Sequence, residues 1–382
     1  MTVSLSLLKF TSMKIDVVKF NIKDQKDFYK EVKSNVNKYF KDNNITRYAN
    51  FNMKIKTVFM IALYFAPLVL MLTGVVSSLW PVLLMWVLMG FGMAGVGFSI
   101  MHDANHGSYS TNSKVNFVLG YLINFIGGYR QGWKVQHNVL HHSYTNIEGY
   151  DEDIKNPTLR LSPKQDRKWF HKYQAFYAPF LYGLMTLYWY TAKDYQGLVR
   201  YRKRNLLSPQ KISFKKAIAE LTVNKIWYAL LMIVLPFVLI DLPWWQILIG
   251  MLMMHFICGL GLGLIFQPAH VIEETSYYIP DENGKVDNNW AVHQMKTTSN
   301  FAHNNRLLSW FIGGLNYQVE HHLFPNVCHI HYRKISKIVK ETAAKYDVPY
   351  LHHDTFFGAV KSHFVTLSKL GTGKFDKELA KN

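Results

Sequence analysis

Residues 57–101 read TVFMIALYFAPLVLMLTGVVSSLWPVLLMWVLMGFGMAGVGFSIM, and none of these 45 residues is Asp, Glu, Lys or Arg. A helix needs about 20 apolar residues to cross the hydrocarbon of a bilayer, so this stretch is as long as two spans and a short turn. A second stretch, 226–272, runs for 47 residues with Asp241 as its one charged residue. Together they predict an all-α integral membrane protein. Its four transmembrane helices fall at about 55–74, 79–101, 224–240 and 245–267, paired as two hairpins. Gly74 to Ser78 and Asp241 to Trp245 are the turns, with Trp80, Trp244 and Trp245 placed at the bilayer interface.

All 43 Lys and Arg residues fall outside the two stretches, and the net charge is +18. If each hairpin enters and returns, the N-terminus, the 102–223 region and the C-terminal region share one face of the membrane. Positive residues collect on the cytoplasmic side, so that face is expected to be cytoplasmic. Attraction to anionic membrane lipid accounts for the basic charge. No nucleic-acid motif or zinc-finger spacing accompanies it, and no nucleic-acid partner is expected. The stretch 175–191 is also free of charge, and as a fifth span it would put the nine Lys and Arg of 193–225 on the wrong side. It reads instead as a helix in or near the interface, and 117–128 as a shorter interfacial or re-entrant piece. The expected organisation is an N-terminal cytoplasmic segment (1–52), a central domain (53–345) and a C-terminal cytoplasmic tail (346–382). Lys9, Lys14 and Lys19 interrupt the first 20 residues, which contain no long apolar core, so no cleavable signal peptide is expected. Cys258 and Cys328 form neither a CxxC pair nor a disulfide framework.

Histidine supplies the chemistry. Of 17 histidines, seven sit in three short windows: HDANH at 102–106, HNVLHH at 137–142, and the end of QVEHH at 318–322. Residues four apart share a helix face, so His102/His106 and His137/His141 can each aim two imidazoles at one point. His142 is rotated from His141 by about 100° and suits a neighbouring metal; His321 and His322 can divide in the same way. His102 begins where the second span is expected to end, and His270 follows the fourth by three residues. These eight imidazoles are therefore expected at one depth, as ligands of two ions in a cytoplasmic helical cap. Imidazole suits iron, copper, zinc or nickel, and a single catalytic zinc usually takes only three protein ligands. Two irons acting on dioxygen as co-substrate would justify eight. Asp103, Asn105, Asn146, Asp151, Asp153 and Glu320 are candidate acceptors for the second ring nitrogens. His255 reads as a packed, hydrogen-bonded histidine. His171, His293, His303, His329, His331, His352, His353 and His363 read as ordinary residues of the soluble face.

The three boxes, their order and their place between paired spans resemble the membrane fatty acid desaturase family. So do Asn146 with Asp151-Glu152-Asp153, and Gly313-Gly314-Leu315-Asn316 leading to Phe324-Pro325. The resemblance covers about 50–345. Gln318, where many desaturases carry histidine, is similar to the front-end branch, which desaturates between an existing double bond and the carboxyl end. That similarity adds Gln318 to the metal shell. The middle box departs from the branch: three residues separate His137 from His141, where two are common. The His-Pro-Gly-Gly motif of a fused cytochrome is also missing, so a separate ferredoxin- or cytochrome-type electron donor is expected. The resemblance implies insertion of a cis double bond into a lipid- or CoA-linked fatty-acyl chain, using dioxygen and a di-iron centre. A hydroxylase, ketolase or acetylenase on the same scaffold is the rival enzyme. A metal transporter would place its polar ligands inside the spans, which carry almost none. A haem protein needs only one or two axial ligands.

Overall fold

The structure is a computed structural model that describes residues 18–379. The described residues are mostly helical. Four helices are long and apolar enough to cross a membrane: Phe51–Leu72, Leu79–Asn105, Phe214–Leu239 and Trp244–His270. The first starts at Asn50, whose side chain accepts the Met53 N–H at 3.0 Å. The turn at 73–78 uses Gly74 at φ +75°, a backbone state glycine adopts without strain.

Close packing holds the long helices together. A Cβ on Gly92 would collide with the backbone of Leu63 and Tyr64, and one on Gly250 would enter the Trp86 ring. The second helix is thus clamped between the first and the fourth, and Tyr64, Trp86, Met93 and Met254 are fully buried among them. Outward-facing residues remain apolar: Val58, Val69, Trp80, Val238 and Trp244 are all more than half exposed. Such a surface is suited to lipid and not to water. The protein is an integral membrane protein.

The helix ends differ from the sequence expectation. The second and fourth long helices run on to Asn105 and His270, and the third starts at Phe214, ten residues earlier than expected. Lys225 lies on that third helix, yet its ammonium is fully occupied. It donates to Gly127 O, Trp189 O and Asp194 Oδ2 at 2.7, 2.8 and 2.6 Å.

Residues 174–193 form a broken helix, Gln174–Gly183, Met185–Tyr188 and a π-helical Trp189–Lys193. It lies along the fourth long helix, where Gly259 and Gly263 leave room for Tyr182. The 117–128 piece is the short apolar helix Ser113–Ile126. At one end of the long helices, Lys26–Asp42, Trp290–Thr297, Gln318–Leu323 and Tyr332–Lys345 enclose a second core of Phe28, Val32, Val36, Ile335 and Val339. Glu31 ties the first of these helices to the last, through Lys345 at 2.7 Å and Tyr346 at 2.8 Å. Helix Phe356–Thr372 packs on Trp169–Tyr173 and Gln174–Gly183. The few strands are two-residue parallel pairs, Lys19–Phe20 with Lys285–Val286 and Asn300–Phe301 with His352–His353.

Candidate metal centre

Each histidine box is delivered by a different local device. In the second long helix, Val96–Met101 makes one π-helical turn and His102–Asn105 resumes as α-helix, with His106 as its cap. His102 is therefore held on the helix, not beyond its end. The middle box lies on a helix at 130–144 whose centre, Val135–His141, is also π-helical. A π-helix closes i→i+5 bonds, so residues five apart fall in line. His137 accordingly meets His142, Nε2 to Nε2 at 3.2 Å, while its ring also stacks on His141 with centroids 5.4 Å apart, as α-helical spacing predicts. The extra residue between His137 and His141 is what this wider turn absorbs. The third box, Gln318–Leu323, is wholly buried. It follows Gly313 and Gly314, both at φ +64°. A Cβ on Gly313 would strike Phe98 O and Ser99, so glycine there lets the chain press the third box against the helix carrying the first. His270 is the last residue of the fourth long helix.

The boxes meet as two adjoining clusters. His102, His106, His137 and His321 form one; His141, His270 and His322 form the other; within each, the ligand-capable atoms lie inside 4.8 Å of one another. His142 lies between them, its ring centroid 4.5 Å from His321 and 4.4 Å from His322. His102 Nε2 stands 3.2 Å from His137 Nε2. Nitrogens bound about 2.0–2.1 Å from one ion at ordinary angles are separated by about 3.0–3.4 Å. The spacing fits ligands of a shared metal.

The hydrogen bonds select the free nitrogen. His270 Nδ1 donates to Thr297 O at 3.1 Å, His322 Nδ1 to Gln294 Oε1 at 2.8 Å, and His141 Nδ1 faces both Asp151 oxygens at 3.2 Å. His321 Nδ1 pairs with Tyr332 Oη at 3.2 Å. Nε2 of His106, His270, His321 and His322 is then buried with no protein partner. Buried polar atoms seldom go unpaired, and here the orphans converge. Burial, reinforced by neighbouring imidazoles, holds His106, His137, His142, His321 and His322 well below the usual imidazole range. They are neutral, as a metal ligand must be. For His141, burial acts downward, but the Asp151 and Asp153 carboxylates override it and raise the ring to about 9. The residues present fit two metal ions.

The other sequence candidates divide. Asp151 and Asp153 touch His141, the latter at 3.4 Å. Asp103 Oδ1 lies 3.8 Å from His102 Nδ1. Asn146 donates to His270 O at 2.8 Å, fixing the backbone and not the ring. Asn105 joins the first two boxes, accepting from Arg130 at 2.8 Å and, through its carbonyl, from Asn138 at 3.0 Å. Glu320 bonds Asn300 and Tyr350, each at 2.9 Å, and anchors the third-box helix. Burial raises its carboxyl to about 7. Gln318 is buried with its amide nitrogen unpartnered.

His255 is packed as expected, between Thr186 at 3.0 Å and Tyr228 at 3.1 Å. Five histidines assigned to the soluble face are instead buried: His171, His293, His329, His331 and His363. Each makes at least one ring hydrogen bond to the protein. His293 Nε2 donates to Thr145 O, for example, and His363 Nδ1 to Val271 O. Gln294, Tyr332 and Thr297 escaped sequence reasoning because they stand apart from every box, and no spacing marks them.

A bundle of apolar helices ending in two adjoining all-imidazole clusters defines a membrane protein with histidine clusters that could hold metal ions. The fatty acid desaturase family profile matches residues 78–354. A sn-1 linoleoyl-lipid 6-desaturase of Arthrospira platensis is 38% identical, covering 90% of this chain and 92% of that one. An enzyme of the same name from Synechocystis sp. is 35% identical over 93% and 98%. An acyl-lipid (8-3)-desaturase of Physcomitrium patens is 37% identical over 92% and 73%. The chain belongs to the fatty acid desaturase family and is an oxidoreductase, a desaturase enzyme.

Proposed function

We propose that this desaturase is of the front-end type: it inserts a cis double bond on the carboxyl side of an existing one, in an acyl chain carried by a membrane lipid. The observation that carries the metal chemistry is that Nε2 of His106, His270, His321 and His322 is buried with no protein partner, while Nδ1 of the last three is held by the protein. The relatives' names, which specify linoleoyl-lipid and acyl-lipid substrates, support the lipid carrier and the unsaturated chain. His102, His106, His137 and His321 would hold one iron, His141, His270 and His322 the other, with His142 between them and Gln318 completing the shell. Iron held there would supply the oxidising chemistry for a reaction in which dioxygen, two electrons, two protons and two hydrogens from neighbouring methylenes end as two waters.

The chain's own residues set the conditions. Asp151, Gln294, Thr297 O and Tyr332 fix the rings of His141, His322, His270 and His321 before a metal arrives, so little reorganisation of these four is left to the reaction. Trp133 stacks on His137 with centroids 4.4 Å apart and covers that side of the first cluster from water. In this reading the four long helices form two hairpins, with the clusters in a helical cap on the cytoplasmic face. The desaturase domain is 53–345, flanked by cytoplasmic segments 1–52 and 346–382. Electrons come from a separate ferredoxin- or cytochrome-type donor.

Expression in a host of known lipids tests the activity. With linoleic and saturated acids fed separately, gas chromatography and mass spectrometry should find a new carboxyl-side double bond in linoleoyl lipid. A new bond only in saturated chains removes the front-end assignment, and a hydroxy acid in place of an alkene would overturn the reaction. Cysteines placed in 192–213 should be labelled from the cytoplasmic side of sealed vesicles; labelling only from outside sinks the topology.

A further inference from the structure

A line of buried polar side chains leaves the first cluster on the side away from the second. Lys56, on the first long helix, is 2% exposed. A buried ammonium costs several kcal/mol unless it is paired, so its partners carry information. Its Nζ lies 3.1 Å from His329 Nε2 and 5.4 Å above the Trp310 ring. An ammonium can only donate, so His329 Nε2 accepts and the ring proton belongs on Nδ1. Nδ1 then donates to Asp103 Oδ2 at 2.8 Å. The same oxygen takes the His329 backbone N–H at 3.2 Å and the Cys328 thiol at 3.0 Å. The other carboxylate oxygen faces His102 Nδ1, which has no hydrogen-bond partner, at 3.8 Å. Lys56, His329 and Cys328 thus donate toward Asp103 from one side, and His102 Nδ1 faces the same carboxylate from the other.

Asp103, Cys328 and His329 also have the types and proximity of a metal site. The geometry argues otherwise. The Lys56 ammonium already caps His329 Nε2, and three donors saturate Asp103 Oδ2.

We propose that Lys56 and His329 are positioning residues for the first of the two metal ions, acting through Asp103 to hold the His102 ring with Nε2 toward that ion. This rests on the paired-metal reading of the clusters. Loss of such an outer acceptor typically weakens metal binding about 10–100-fold. The effect should fall on one ion of the pair, because His141, His270 and His322 are held by other residues.

The full chain, purified in detergent and stripped of metal, is titrated with cobalt(II) against a coloured chelator. The cobalt absorption bands report coordination independently of activity. Wild type should bind two ions. Lys56→Met and His329→Gln should each lose about 10–100-fold affinity for one ion and keep the other, which also reports that the chain is folded. His329→Asn keeps a donor in the place of Nδ1 but leaves Lys56 without its acceptor, so its loss should fall between wild type and His329→Gln. Should Lys56→Met fail to fold, the contrast between His329→Gln and His329→Asn decides. Wild-type affinity in His329→Gln, or equal loss at both ions, overturns the proposal. A wild-type chain that binds no pair of ions overturns the paired-metal reading instead.

Discussion

Gln294 offers a stringent test of the second cluster, because no histidine is altered. Its Oε1 accepts from His322 Nδ1 at 2.8 Å and lies 2.9 Å from the Thr145 hydroxyl. Gln294→Leu removes the acceptor and leaves a buried ring N–H seeking another. Thr145 Oγ1 is already 3.3 Å from that nitrogen and offers a lone pair, so the loss is cushioned. The single variant should therefore lie at the mild end of the outer-shell range, about tenfold in affinity for one ion, or about 1.4 kcal/mol. Gln294→Leu combined with Thr145→Val removes the fallback and should approach about hundredfold, or about 2.7 kcal/mol. The assay is metal competition against a chelator on purified protein, with stoichiometry by atomic emission. Retention of both ions at wild-type affinity in the double variant would refute the claim that His322 is oriented from Gln294.

Two further outcomes separate ligand from scaffold. His270→Ala should abolish activity and cost one metal ion, because it deletes a buried Nε2 from a three-imidazole cluster. His255→Ala strands the Tyr228 hydroxyl at about 1–3 kcal/mol, while Thr186 keeps the residue 255 carbonyl, and should leave both ions in place; loss of an ion there would contradict the assignment. Glu320 carries a pH signature: its folded carboxyl sits near 7 against an ordinary 4.5, so the folded state holds the proton more tightly. Its contribution is then most favourable below pH 4.5 and is lost as pH rises through 7, by about 3 kcal/mol in all. Glu320→Gln should flatten that slope, and parallel Tm–pH curves for the two proteins would be evidence against it.

The four spans were legible because the absence of charge over two spans' length is a property of the chain alone. Their ends were not. Lys215, Lys216 and Lys225 argue against a helix entering the membrane, yet Lys225 is satisfied by Gly127, Trp189 and Asp194, partners remote in sequence. The histidine boxes were legible by spacing, but the partition within 137–142 was not. Periodicity assumes an α-helix, and the π turn also brings His142, five residues on, against His137 Nε2. The acceptors behind the rings divide on the same principle. Asp151 stands close to its box and was found; Gln294, Thr297 and Tyr332 arrive through tertiary folding. The buried His293, His329 and His363 show that a lone histidine in a polar stretch carries no sign of its burial.

The adjacency of His321 and His322 bears on how the molecule is made. Each completes a different cluster, and both stand on one six-residue helix near the far end of the chain. As synthesis runs from the N-terminus, all four apolar helices have emerged before either cluster has its last imidazole. The third box is itself locked in place by Asn300 and Tyr350, the latter still later in the sequence. A nascent chain can thus hold all four apolar helices while each cluster still lacks one imidazole. A product truncated before His321 loses a ring from both clusters at once.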